Sequence, residues 1–341
     1  MATCLLGIGA NLGDRSATLD AAVDRLTGDA RVRVQRRSRW IETAAIGGPS
    51  AQPAFLNGAL IVESTLAPRA LLQLLQDLEL ALGRERAGHW HPRNIDLDLL
   101  LYDELIVAEA DLVVPHPRMA VRRFVLEPAA EIAADLLHPP TGWKVSQLLE
   151  NLNKAHQYAA VTSSSDALAK QLATDVAQRA GARRIDLEPD ALTWIRDASS
   201  TPSCWLELAR NWARDLDSES WPRFALPRGG GWVVSTGWFV ETRLIDKLRS
   251  PAGDVASSAT DSSASWQALN AGVVQPKLIL WIESDGANAT ALHDLGATTE
   301  RWASALASEL SLAGHGPILR LDADDWDGAV NEAVAALAAA T

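Results

Sequence analysis

Asp96 and Asp98 interrupt an otherwise apolar run, Ile95-Asp96-Leu97-Asp98-Leu99-Leu100. Side chains alternate faces along a strand, so the two carboxylates project together while Leu97 and Leu99 pack on the other side. Two ionised acids this close repel each other unless a cation lies between them. Hard oxygen donors of this kind suit Mg2+, which takes one or two carboxylates together with phosphate oxygens. Arg84, Arg86 and Arg93 stand just upstream, in Gly83-Arg84-Glu85-Arg86-Ala87-Gly88-His89-Trp90-His91-Pro92-Arg93. Guanidinium forks match phosphate geometry. Acids for a metal beside arginines for phosphate are the parts of phosphoryl transfer, where positioning and charge neutralisation do most of the catalysis. A lone Asp-x-Asp is more often a solvated surface pair. The apolar setting and the clustered arginines point to a site instead.

The segments that must position these residues follow from periodicity. Residues 3–10 read as a strand ending in Gly7-Ile8-Gly9-Ala10-Asn11-Leu12-Gly13, and Leu19 to Leu26 have helical spacing. Residues 31–42 alternate as one strand, and a Gly/Pro-rich loop, Ile46-Gly47-Gly48-Pro49-Ser50, follows. Phe55 to Ser64 alternates again. Pro68 opens a helix lined by Leu71, Leu72, Leu75, Leu78 and Leu82, and Ile95 to Tyr102 is the acid-bearing strand. The order β-α-β-β-α-β predicts a ferredoxin-like α+β sandwich.

The chain has 341 residues and a net charge of −12, spread as −3 over residues 1–155 and −9 over 156–341. An acidic second half is a poor match for a nucleic-acid backbone, so phosphate recognition must be local. No apolar run reaches the ~18–20 residues needed to cross a bilayer. The start, Met1-Ala2-Thr3-Cys4-Leu5-Leu6, lacks the pattern of a signal peptide. The two cysteines, Cys4 and Cys204, are far apart, which speaks against a disulfide framework. A cytoplasmic enzyme acting on small molecules, with no nucleic acid or membrane as partner and with a homodimer as one assembly, is the expectation.

At these residues the sequence resembles the 6-hydroxymethyl-7,8-dihydropterin pyrophosphokinases of folate biosynthesis. The carrying motifs are Gly9-Ala10-Asn11-Leu12-Gly13-Asp14, Glu42-Thr43, Gln52-Pro53-Ala54-Phe55-Leu56-Asn57 and Glu79-Leu80. They continue with Trp90-His91-Pro92-Arg93-Asn94-Ile95-Asp96-Leu97-Asp98-Leu99, Val114-Pro115-His116-Pro117-Arg118-Met119 and Arg122-Arg123-Phe124. His91 stands where the family hallmark has glycine, His89 where it has arginine, Ile41 where tyrosine is usual, and Asp111 where some members are basic. The resemblance implies a transfer of pyrophosphate from ATP to the pterin hydroxyl, with AMP leaving. It implies two Mg2+ ions on Asp96 and Asp98, and catalysis by those acids with Arg84 and Arg93. Gln76, Glu79, Arg84, Arg86, Trp90, Arg93, Leu99, His116 and Arg122 would hold ATP. Thr43, Ala44, Ile46, Phe55, Asn57, Asp96 and Phe124 would hold the pterin, with Phe55 and Phe124 stacking on its ring.

A second domain is expected over 156–341. Strand patterns at Tyr158 to Thr162, Ile185 to Leu187, Gly231 to Ser235, Lys277 to Ile282 and Ile318 to Leu321 alternate with helical stretches at 166–180, 297–313 and 327–339. This predicts a parallel, doubly wound sheet, with a weak resemblance to a deoxynucleoside-kinase P-loop fold. The turn after the first strand, Ser163-Ser164-Ser165-Asp166-Ala167-Leu168-Ala169-Lys170-Gln171, lacks the glycines and the final hydroxyl of a phosphate-binding loop. Val233-Val234-Ser235-Thr236-Gly237-Trp238 stands where such kinases often carry Asp-Arg-Ser. A degenerate, non-catalytic kinase-like domain is the reading. The rivals are a scaffold protein with both halves inert and a bifunctional enzyme with a working nucleoside kinase.

Overall fold

The computed structural model describes residues 1–46, 52–84, 92–154, 157–186, 231–236, 275–283, 304–308, 310 and 316–341. They form two compact units, Met1–Asn153 with Ala338–Thr341, and Lys154–Leu337. No helix among the described residues is long and apolar enough to cross a membrane.

The first unit begins with β1 (Ala2–Ala10), α1 (Arg15–Thr27), β2 (Val32–Arg37), β3 (Ile41–Thr43), β4 (Phe55–Ser64), α2 (Pro68–Ala81) and β5 (Asp96–Tyr102). Asp14 starts α1 by accepting the Ala17 amide at 3.1 Å, and Pro68 starts α2, where a missing N–H costs nothing. The sheet runs β2-β4-β1-β5, with β3 also paired to β4. β1 is antiparallel to both β4 and β5. This is the β-α-β-β-α-β sandwich with one extra strand.

The register assigns the faces. Leu6, Ile8 and Ala10 of β1, Leu60 and Val62 of β4, and Leu97 and Leu99 of β5 lie in one core with Leu19, Ala22 and Leu26 of α1 and Leu71 and Leu75 of α2. The opposite face is approached by α3 (Arg123–Ala133), which packs on β4, β1 and β3. Between β5 and α3 lies a hairpin of β6 (Val107–Glu109) and β7 (Leu112–Val114). A smaller hairpin, β8 (Leu137–His138) and β9 (Trp143–Lys144), leads into α4 (Val145–Asn153).

Residues 31–42 are two strands rather than the single strand expected. The Ala59 amide donates to Ser38 Oγ at 2.9 Å, while the Ser38 amide donates to the Ala59 carbonyl at 3.0 Å. The chain turns there, and Trp40 packs against Gly58, where an added Cβ would lie 2.3 Å from the indole.

The second unit has β10 (Tyr158–Thr162), α5 (Asp166–Ala180), β11 (Arg183–Asp186), β12 (Val233–Thr236), β13 (Leu278–Glu283), β14 (Ile318–Asp322) and α6 (Trp326–Ala339). The strands form a parallel sheet in the order β11-β12-β10-β13-β14. The buried runs Tyr158–Thr162 and Leu278–Leu280 are what a sheet covered on both faces requires. Residues 304–308 are helical, inside the stretch expected to be helix. Leu187 and Gly237-Trp238 lie outside the described residues.

Candidate active site

Asp96 and Asp98 sit at the start of β5, opposite Gly9 and Gly7 of β1. On the far side of β1, Gly9 faces Asn57 of β4, and Asn57 faces Ile41 of β3. Phe55 and Thr43 pair two residues further on. Directly paired residues share a sheet face. Thr43, Phe55, Asn57, Asp96 and Asp98 therefore lie on one face, with Asn57 and Asp96 two strand spacings apart, roughly 10 Å. This is the face α3 packs on, and Phe124 lies in the first turn of α3.

The acid and arginine cluster is tightly wired. Arg84 Nη1 and Arg93 Nη1 both donate to Asp96 Oδ1, at 2.9 and 2.8 Å. Arg84 Nη1 also pairs with Glu79. Glu79 Oε1 accepts the Leu97 amide at 2.7 Å, between the two aspartates. Gly83 makes this possible: its φ of +83° turns the chain out of α2, a conformation other residues resist. Asn94 Nδ2 then holds the Gly83 carbonyl at 2.9 Å. Burial raises the Asp96 pKa, with the Asp98 charge adding, against the pull of Arg93 and Arg84. Burial likewise pushes Glu79 up to about 7.

His116 donates its amide to the Leu100 carbonyl at 2.9 Å and accepts the Arg118 amide on Nδ1 at 3.1 Å. Burial pushes its pKa down to about 3, and Arg122 and Arg118 push the same way. The ring is thus neutral, with its proton on Nε2. The Arg122 guanidinium lies over the Phe124 ring, 5.5 Å from its centroid. Gln76 is half-buried on α2, one turn before Glu79. Ala44 and Ile46 follow β3. Leu99 is placed away from this face, its side chain in the core with α1 and α2, so only its backbone can meet a ligand. Arg86, Trp90 and His91 lie outside the described residues. Asp111 pairs with Arg69 at the start of α2, Nη2 to Oδ1 at 2.9 Å, which neutralises the acid.

Two side chains hold the loops around this face without having been singled out as site residues. Asn11 is 1% exposed. Its Oδ1 accepts the Arg93 amide at 2.7 Å, its own amide donates to the Arg93 carbonyl at 3.1 Å, and its Nδ2 reaches the Pro53 carbonyl at 3.4 Å. Arg15 bridges the Ala54 carbonyl and Glu42, both at 2.7 Å. Their signal was positional: a polar residue directly after a strand, and a cation directly after a helix cap.

Asp96 and Asp98 offer two carboxylates, and no cluster of three or more metal-binding side chains occurs among the described residues. That donor set fits Mg2+ completed by phosphate oxygens and water. The fold is an α+β sandwich that gathers two carboxylates and two arginines at one strand edge. Residues 5–134 match the model of the 7,8-dihydro-6-hydroxymethylpterin-pyrophosphokinase family. A 2-amino-4-hydroxy-6-hydroxymethyldihydropteridine pyrophosphokinase of Synechocystis is 39% identical over 149 residues, 44% of this chain and 75% of that protein. The enzymes of the same name from Methylorubrum extorquens and Bacillus subtilis are 42% and 40% identical, over 86% and 84% of their lengths and 40% and 42% of this chain. The chain belongs to the 7,8-dihydro-6-hydroxymethylpterin-pyrophosphokinase family.

Proposed function

We propose that residues 1–155 form the catalytic domain, which transfers pyrophosphate from ATP to 6-hydroxymethyl-7,8-dihydropterin in folate biosynthesis. ATP is the co-substrate and magnesium the metal. The observation that carries the reading is the single sheet face shared by Thr43, Phe55, Asn57, Asp96 and Asp98. Asn57 and Thr43 read the polar edge of the pterin, with Ala44 and Ile46 beside them. Phe55 and Phe124 take the ring faces, an arrangement aromatic quadrupoles favour. Asp96 lies on the same face, on the side where the ring's hydroxymethyl arm would end. The hydroxyl oxygen attacks the β-phosphorus of ATP, and AMP leaves. Asp96 and Asp98 would hold two Mg2+ ions, which would supply neutralising charge to the phosphates. Arg84, Arg93 and Arg122 hold phosphate oxygens in line with the attacking group. Arg86, Trp90, Gln76 and His116, which is neutral and presents Nε2–H, complete the ATP side. Glu79 contributes through Arg84. Purified protein given ATP, Mg2+ and the reduced pterin should release AMP in step with pterin diphosphate. No pterin-dependent AMP would defeat the reading.

For residues 156–341 the reading is a kinase-like domain without nucleotide chemistry. The order β11-β12-β10-β13-β14 puts the switch of winding direction at β10, where open α/β sheets bind ligands at the strand carboxyl ends. There the Ser164 amide donates to Glu283 Oε1 at 2.7 Å, and Ser164 Oγ pairs with Glu283 Oε2. A carboxylate on the turn's own donors disfavours phosphate at that place. Deoxynucleoside phosphorylation that survives Asp96→Ala would favour the bifunctional reading instead.

A further inference from the structure

Gly9 sits mid-sheet, paired with Asn57 on one side and Asp96 on the other. Its φ is not positive, and it is in no turn. Glycine inside a strand is less favourable than alanine, so its presence here calls for a cause. A Cβ on Gly9 would lie 2.6 Å from Asn57 Oδ1, far inside van der Waals contact, while its next neighbours, Asn57 Cγ and the Leu56 carbonyl, lie at 3.7 and 3.8 Å. One group alone therefore demands the glycine: the Asn57 carboxamide, which lies in the volume a side chain at position 9 would fill. The other end of that carboxamide is fixed, because Asn57 Nδ2 donates to Thr43 Oγ1 at 2.7 Å. Asn57 is buried, so it has few other places to go.

We propose that Gly9 is a positioning residue for the pterin. Its bare Cα is the seat on which the Asn57 carboxamide lies, and the seat holds the Asn57–Thr43 pair at the depth where it meets the ring edge. Any larger residue lifts the carboxamide off β1, toward the space the ring takes, and breaks its bond to Thr43. The proposal rests on Asn57 being a pterin-reading residue, and the test separates the two claims.

The test is a kinetic cycle with Gly9→Ala, Asn57→Ala and the double variant. Pterin KM is measured at saturating MgATP, and the Kd of a non-hydrolysable ATP analogue with Mg2+ is measured alongside. Each single change should raise pterin KM about tenfold or more. The double should match Asn57→Ala within twofold, because the clash has lost its partner; contacting residues couple in this way. Nucleotide Kd should stay within twofold throughout. Normal pterin KM in Asn57→Ala would overturn both the seat and the pterin role of Asn57. A raised KM in Asn57→Ala with a normal one in Gly9→Ala, or multiplicative effects in the double, would overturn the seat alone. So would a matching loss of nucleotide affinity. If Gly9→Ala melts too low to assay, the double should recover its melting temperature; failure to recover would place the conflict in the backbone and sink the proposal.

Discussion

Burial and the nearby Asp98 charge raise the Asp96 pKa more than Arg93 and Arg84 lower it. Holding this carboxylate ionised therefore costs folding stability. Asp96→Asn removes the charge, keeps an acceptor for both arginines, and should raise the melting temperature without added metal at pH 8. The same variant should lose pterin-dependent AMP formation by about a thousandfold or more, the scale on which preorganised charge stabilisation is lost. A variant that melts no higher, or turns over near the normal rate, would count against the assignment. Glu79 can be tested by pH. Its pKa is raised from 4.5 to about 7, so the folded state favours the neutral acid. The stability it contributes is full below about 4.5 and is lost as pH rises through about 7. Between pH 5 and pH 8, Glu79→Gln should therefore lose less melting temperature than the native chain, and parallel curves would refute the shift.

The strands and helices differ in how plainly they stand in the sequence. Alternation in Phe55 to Ser64 and Ile95 to Tyr102, and the leucines of Pro68–Ala81, mark β4, β5 and α2 because each buries one face on the same core. Alternation also brings Asp96 and Asp98 together. It does not bring Thr43, Phe55 and Asn57 onto their face. That depends on β1 entering between β4 and β5, a cross-strand register that no single segment encodes. The break at Ser38 is hidden for a similar reason, since its cause is a hydroxyl on the Ala59 amide of another strand. The burial of Glu79 is not legible in the sequence, because its charge suits an exposed helix face, although it stands in line with Leu71 and Leu75 at intervals of four. The loop clamp has only a positional mark in the sequence, and its partners are set by tertiary structure. Asn11 joins the Arg93 loop to the Pro53 loop, so on the proposed site one side chain would serve the nucleotide and pterin sides at once. Asn11→Ala removes the acceptor of the part-buried Arg93 amide and the donor to the Pro53 carbonyl, at a cost of about 0.5–1.5 kcal/mol a bond. It should raise the KM of both substrates together in steady-state assays; a rise in one alone would show the loops to be independent.

Across the chain, acid sensitivity has an identifiable contributor away from the active site. His138, buried in the β8–β9 hairpin, has its pKa pushed down to about 4 by desolvation, and its Nδ1 meets Thr141 Oγ1 at 3.0 Å. The unfolded chain protonates this ring near the usual value of about 6.5. Its contribution is therefore full above about 6.5 and lost as pH falls through about 4. His138→Gln should lose less melting temperature than the native chain between pH 7 and pH 4, and equal losses would exclude that role. The pairing of Arg84 and Arg93 with Asp96 carries its own consequence. On the proposed site, a divalent ion arriving alone must displace two guanidiniums, of which Arg84 keeps Glu79 as a partner. A triphosphate arriving alone must strip those cations from their counter-ion. When both arrive, every charge exchanges one partner for another. Cation and nucleotide should then each tighten the other's hold by the same factor, as reciprocal linkage demands, and the strand edge works as a two-key lock.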